Sequence, residues 1–320
     1  MRKLQQLWNV VRESHRAPIA GTHHPVPLVT PTETAITFIG HSSFLIQLAG
    51  RNVLIDPVFA HRLILLRRQR RPGVRLKDLP PIDAVLLTHA HMDHLNLPSL
   101  RRIIRHTRRL TGHAPEVIVP RNVSDLVTKL GFCKITELEW WQSATLCAVP
   151  YSFAASLREN GAASFEIETQ IETQIETERS PVTITMTPAK HWGARMFQDT
   201  HRHYGGYVVA TATQSIYHSG DTAYFPGFRE IGQRLHPQIA LLPIGAYFPD
   251  SYRAVHTSPE EALQAFLDLG AVTMIPMHFG TFPLGKEPMD EPPVRLISAA
   301  ERIGIANQIR ILREGETTSL

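Results

Sequence analysis

Leu86-Leu87-Thr88-His89-Ala90-His91-Met92-Asp93-His94-Leu95-Asn96-Leu97 places three histidines and an aspartate within six positions, directly after an apolar run at 82–87. Packing does not ask for that density, because a buried imidazole or carboxylate costs free energy unless it is paired. Residues 84–87 read as a buried strand, and Pro98 followed by Ser99-Leu100-Arg101 reads as a helix start. His89 to His94 therefore fall in a strand-to-helix turn, and open α/β sheets bind ligands at such strand ends. In an extended turn His89 and His91 point the same way, while Asp93 and His94 follow on a tightening backbone and point at a neighbouring spot. Two adjacent metal sites result. Neutral imidazoles suit zinc, and a carboxylate oxygen beside them suits zinc, manganese or iron. A solvated histidine-rich loop would need neither a strand before it nor partners downstream.

Working outward, the 320 residues have a composition ordinary for a soluble globular chain. No apolar run reaches the roughly 18 residues of a membrane span, and the first residues lack the apolar stretch of a secretory signal. A cytoplasmic protein is expected, peripheral on the inner membrane surface if it meets lipid at all. Cys133 and Cys147 stand outside every histidine cluster and imply no disulfide framework; both are expected in the core. The net charge of +4 conceals an asymmetry, since residues 1–130 carry 19 Lys/Arg against 8 Asp/Glu, leaving 14 against 21 beyond. The basic half is suited to face phosphates.

Residues 1–34 form a lead-in. Leu4, Leu7, Trp8 and Val11 at helical spacing make an amphipathic helix, expected to dock on its own domain rather than on lipid. Residues 35–47 and 51–55 read as two strands joined at Ala49-Gly50. Residues 61–77 join Leu63-Ile64-Leu65-Leu66 to Arg67, Arg68, Arg70, Arg71, Arg75 and Lys77. Such a run is a solvated loop by default; with its leucines it also suits peripheral membrane contact, arginines meeting phosphates. It carries no aromatic stacking platform, so no nucleic acid is expected. A strand at 117–120 leads to a helix ending at Leu130, and the β-then-α alternation indicates an α/β sandwich. Residues 155–180 interrupt the pattern with Ile-Glu-Thr-Gln at 167–170, repeated at 171–174 and nearly at 175–178, an acidic insertion assigned no chemistry.

Further strands at 182–187, 215–218, 239–244 and 272–277 end beside His191, Asp221, Ile244 and His278. Ser258 caps a helix with Pro259 at its first position, and His256 stands just ahead of that cap. Trp192, Tyr204 and Tyr207 suit the lining of an acyl pocket, although strand aromatics are more often core.

His89-Ala90-His91-Met92-Asp93-His94 resembles the HxHxDH signature of the metallo-β-lactamase superfamily. The order of Gly40-His41-Ser42-Ser43, Leu54-Ile55-Asp56-Pro57, His191-Trp192, Ser219-Gly220-Asp221-Thr222, Leu242-Pro243-Ile244-Gly245-Ala246-Tyr247, Pro259-Glu260-Glu261-Ala262 and His278-Phe279-Gly280-Thr281-Phe282 is similar to that of the N-acylphosphatidylethanolamine-hydrolysing phospholipase D branch. The likeness covers roughly residues 35–296. It implies a four-layer αββα sandwich over residues 35–320, two divalent metals, most simply zinc with manganese or iron as alternatives, and a metal-dependent hydrolase. On that likeness His89, His91 and His191 hold the first metal, Asp93, His94 and His278 the second, and Asp221 bridges. Asp93 and His256 are the catalytic candidates, His256 as a substrate contact or acid, and His41, Trp192 and Tyr247 are candidates for supporting a ligand or meeting substrate. Paired cations lower the pKa of a bound water and polarise the scissile group. The implied substrate is a phospholipid cleaved as by a phospholipase D through a metal-bridging hydroxide. A soluble ester, lactone or phosphodiester is the alternative, and a metal-holding membrane module without turnover the third reading.

Overall fold

The computed structural model describes residues 2–16, 18–27, 29–146, 180–195 and 199–319, with side chains from Trp8 onward. Helix α1 (Arg2–Arg16) precedes strands β1 (Ala35–Gly40), β2 (Ser43–Leu48) and β3 (Arg51–Ile55), a short hairpin β4 (Arg62–Leu63) and β5 (Leu66–Arg67), β6 (Ala84–Leu86), helix α2 (Leu97–Thr111), β7 (Glu116–Pro120), β8 (Ile135–Leu138) and β9 (Ser143–Thr145). From residue 180 onward follow β10 (Thr183–Thr187), β11 (Gly206–Ala210), β12 (Ser215–His218), α3 (Gly227–Leu235), β13 (Ile239–Pro243), α4 (Pro259–Leu269), β14 (Thr273–Met277), α5 (Glu291–Arg302) and β15 (Thr317–Ser319).

Two mixed sheets result, ordered β15-β1-β2-β3-β6-β7-β8 and β14-β13-β12-β11-β10-β9. Strand alternation assigns the layers. In the first sheet Phe44, Ile46, Val53, Ile55 and Leu86 face the second sheet, meeting Ile184, Met186, Val209, Ile216 and Leu241. Their neighbours Leu45, Leu54, Val85 and Val117 face outward, where Leu100 and Ile103 of α2 cover them. On the far side Val208, Tyr217, Ala240, Leu242 and Met274 pack under α3, α4 and α5. The order is therefore helix, sheet, sheet, helix, as expected, and each fully buried aliphatic side chain contributes roughly 1.5–3 kcal/mol.

Helix boundaries follow local chemistry. Asn96 caps α2 by accepting from the Ser99 amide, with Pro98 in the first turn and Gly112 in the left-handed conformation at its end. Ser258 and Glu261 form a reciprocal capping box on α4.

Several expectations are corrected. Residues 35–47 are two strands, because Gly40 at φ +128° and His41 at φ +63° turn the chain between β1 and β2. Residues 124–130 form two short 3-10 turns rather than a helix, Glu137 accepting the amides of Val123 and Ser124 at 3.2 and 3.0 Å. Cys133 is exposed, not core; Cys147 and residues 155–179 lie outside the described residues. Tyr207 is buried between the sheets with its hydroxyl on Leu87 O at 2.9 Å, so it lines no acyl pocket.

The basic stretch at 61–77 is partly structural. Arg68 is fully buried, donating to Val58 O and Ala60 O beneath the Phe282 ring, and cannot reach a phosphate. The hairpin tip projects Ile64 and Leu65, 74% and 51% exposed. Helix α1 docks on this hairpin: Ser14 Oγ accepts the Arg67 amide at 3.2 Å, and His15 O accepts from Arg67 Nη1 at 2.8 Å. Val11 is buried while Trp8 is exposed. Among the described residues no helix is long and apolar enough to cross a membrane.

Candidate metal centre

The strands β3, β6, β10, β12 and β14 all end at one edge of the sandwich, and the turn at His41 lies there too. This edge collects Asp56, the run His89 to His94, His191, Asp221 and His278 from positions up to 222 residues apart in sequence (Asp56 to His278). Gly220 is required for the approach, since at φ +63° a Cβ would stand 2.8 Å from Thr88 Cβ and 2.9 Å from Gly205 O. His278 also adopts a left-handed backbone, φ +59°, held by its amide on His41 O at 2.9 Å.

Two donor groups converge. His89 Nε2 and His191 Nε2 lie 2.8 and 3.3 Å from His91 Nδ1. His94 Nε2 lies 3.2 Å from Asp221 Oδ1 and 3.6 Å from Asp93 Oδ2, and His278 Nε2 lies 3.0 Å from Asp221 Oδ2 and 3.7 Å from Asp93 Oδ2. The Asp221 carboxylate stands between the groups, with His191 Nε2 at 4.0 Å. The side chains His89, His91 and His191, and separately His41, Asp93, His94 and His278, are close enough for each set to hold a cation.

The donor chemistry fits divalent metal. His94 Nε2 and His278 Nε2 face the Asp221 and Asp93 oxygens at 3.0–3.7 Å without hydrogen-bond alignment. Although burial opposes it, those carboxylates hold both rings above the ordinary imidazole range, so a cation would take the place of their protons. Burial pushes His89 well below the ordinary imidazole range and His191 down to about 3, leaving neutral rings able to donate electron pairs. Burial alone would raise Asp93 and Asp221, but the neighbouring histidines outweigh it and hold both carboxyls well below their usual range.

The opposite edges of the rings are fixed. His94 Nδ1 meets Asp56 Oδ2 at 2.7 Å, His191 Nδ1 meets Val255 O at 2.7 Å, and His89 Nδ1 meets Thr88 Oγ1 at 2.9 Å. Such contacts set tautomer and orientation. His41 Nε2 lies 3.0 Å from Asp93 Oδ2, so it reaches the cluster through that carboxylate.

A cavity of about 470 Å³ opens over the cluster, lined by His91, Asp93, Asp221 and His256 and by an apolar wall of Ile64, Trp192, Tyr252 and Leu284. His256 Nδ1 is 3.9 Å from Asp221 Oδ2, and burial pushes that ring down to about 4. Trp192 packs edge-on to His91, ring centres 4.3 Å apart. Tyr247 is not brought to the cluster; its hydroxyl donates to Glu291 at 2.6 Å under Arg295, beside a separate cavity.

Sequence reading assigned no role to Asp56, Thr88 or Arg195. Asp56 had a local signal, an acid closing an apolar strand, but its partner His94 is 38 positions away. Arg195 had none.

A family model described as a beta-lactamase superfamily domain matches residues 51–279. A metal-dependent hydrolase of Methanopyrus kandleri is 31% identical, the match covering 88% of this chain and 98% of that one. The N-acyl-phosphatidylethanolamine-hydrolyzing phospholipase D 1 of Caenorhabditis elegans is 29% identical over 78% of this chain and 64% of its own length. In fold the chain is similar to a metallo hydrolase from the archaeon Ignicoccus hospitalis, TM-score 0.60 at 24% identity, covering 90% of this chain and 99% of the other.

Proposed function

Because the chain belongs to the metallo-type beta-lactamase superfamily of metal-dependent hydrolases, we propose that it is a dinuclear phosphodiesterase of phospholipase D type, acting on N-acylphosphatidylethanolamine or a related phospholipid. The observation that carries this reading is the pairing of two donor groups, shared through Asp221, with the apolar wall directly above them. The likeness to the nematode phospholipase supports the substrate class.

In this reading His89, His91 and His191 hold one cation, Asp93, His94 and His278 the other, and Asp221 serves both. Two divalent cations, zinc by the donor set, supply water activation and charge neutralisation when bound. The chain's own residues orient the reaction. His41 holds the Asp93 carboxylate in place. His256, which lines the cavity with Nδ1 3.9 Å from Asp221 Oδ2, meets a substrate oxygen or protonates the leaving alcohol. Ile64, Trp192 and Tyr252 receive the apolar part of the substrate, and Ile64 and Leu65 at the hairpin tip dip into a lipid surface with the exposed Arg62 of the same hairpin beside them. Hydrolysis breaks the bond between phosphorus and the ethanolamine oxygen, and water supplies the new oxygen and proton, yielding phosphatidic acid and an N-acylethanolamine.

The Methanopyrus relative is described only as a metal-dependent hydrolase, and the second reading is hydrolysis of a soluble ester, lactone or phosphodiester at the same site. Vesicles of N-acylphosphatidylethanolamine, bis-p-nitrophenyl phosphate and a lactone, tested with one metal-analysed preparation, separate the two. Release of N-acylethanolamine that Asp93→Asn abolishes supports the lipid reading; turnover of the soluble substrates alone discards it.

A further inference from the structure

We propose that Arg195 reads an anionic oxygen of the substrate, so that the site selects negatively charged esters over neutral ones. This rests on the hydrolase reading above. Among the described residues Arg195 is the only lysine or arginine lining the cavity over the donor groups; the wall around it is apolar, formed by Ile64, Met92, Trp192, Ala194 and Leu284.

Its attachment is specific. Nη1 donates to Ala90 O and to Leu95 O, each at 2.9 Å, so one nitrogen spans the run that carries His91, Asp93 and His94. The guanidinium is thereby set in a fixed place relative to those side chains. Nε and Nη2 make no hydrogen bond among the described residues, and no carboxylate there forms an ion pair with Arg195 within 4.0 Å; the nearby Asp199 is engaged by Arg202 at 2.6 Å. A half-buried cation that two carbonyls hold, and that Asp199 offsets only at longer range without an ion pair among the described residues, is suited to an incoming anion. A guanidinium with its rotamer already set loses little entropy on meeting phosphoryl or carboxylate oxygens.

The structural alternative is that Arg195 only braces the histidine run. A brace supports every substrate equally, whereas an anion contact changes discrimination. The test compares wild type, Arg195→Gln and Arg195→Lys with matched metal content, measuring kcat/KM for bis-p-nitrophenyl phosphate against p-nitrophenyl acetate, and inorganic phosphate affinity by calorimetry on the metal-loaded protein. Loss of one charge-assisted contact lowers the ratio of diester to neutral-ester kcat/KM by about 10- to 100-fold in Arg195→Gln, mainly through KM, and weakens phosphate to a similar degree; Arg195→Lys falls between. Equal losses on both substrates with unchanged phosphate affinity overturn the proposal and leave the brace. Should wild type hydrolyse neither compound, the hydrolase reading is what fails, and the phosphate measurement still decides on Arg195.

Discussion

Asp56 accepts the Nδ1–H of His94 at 2.7 Å, with both side chains fully excluded from solvent. The same carboxylate takes the Thr88 amide at 2.8 Å and the Thr88 hydroxyl at 2.6 Å, so a single acid at the end of β3 joins the start of the histidine run to its last member. Asp56→Asn keeps the volume and removes the charge. It is expected to weaken binding at the second metal by about 10- to 100-fold, measured by competition with a chromogenic chelator. Unaltered affinity would show that His94 needs no such orientation.

His278→Ala removes a donor of the second group and leaves His89, His91 and His191 intact. Metal analysis is expected to show loss of the second ion with retention of the first. Two ions retained per chain would refute the assignment.

Chelation should destabilise the protein, because a buried cluster of histidines and carboxylates loses the cation that joins them. An ion present at 100 times its dissociation constant stabilises by about 2.7 kcal/mol, so Tm is expected to drop by several degrees with chelator and return on adding zinc. A Tm insensitive to chelator would argue against a metal-filled cluster.

Gly220→Ala tests the left-handed turn that delivers Asp221. The added carbon meets Thr88 and Gly205 at a φ of +63°, and the expected cost is about 2 kcal/mol or more, read from the denaturant midpoint. Activity should fall further than stability accounts for, since the turn carries the shared carboxylate.

Glu261 in the α4 capping box gives a pH signature. Burial opposes its charge, but Arg253 and the Ser258 amide prevail and hold its carboxyl below the usual value of 4.5. The folded pKa is the depressed one, so its stabilisation is present above pH 4.5 and is lost as pH falls through the folded value. Glu261→Gln is expected to cost about 0.5–1 kcal/mol at pH 7, and the gap to wild type should close in acid, as measured by urea unfolding at pH 7 and 3.5. A gap independent of pH would assign the effect to something other than this charge.

What could be read from the chain alone was whatever depends on neighbours in sequence. The apolar run before His89, the Pro98-Ser99 start of α2, the Ser258-Pro259 start of α4 and the strands ending at His191, Asp221 and His278 are local patterns with local causes. The β-then-α order indicated the sandwich, whereas the near-continuously apolar strands β2, β3 and β6 did not say which side chains face which layer. The break at Gly40-His41 escaped because both flanking segments are apolar and the turn depends on positive φ, which only the glycine announced. Arg68 was read as solvated since charge usually is; its burial depends on carbonyls of Val58 and Ala60 presented by a loop whose course no local pattern states.

The sequence by itself determined the type of chemistry: which side chains can donate to a metal, and that they stand at strand ends. Only the tertiary structure decided their pairing: that Asp56 serves His94, that Asp221 reaches both donor groups, that Tyr247 turns away to Glu291, and that Arg195 stands over the site. The reason is that a hydrogen bond or a ligand set is fixed by distances of about 3 Å in space, and those distances arise only once two sheets, the first closed by the C-terminal strand β15, bring their strand ends to a common edge.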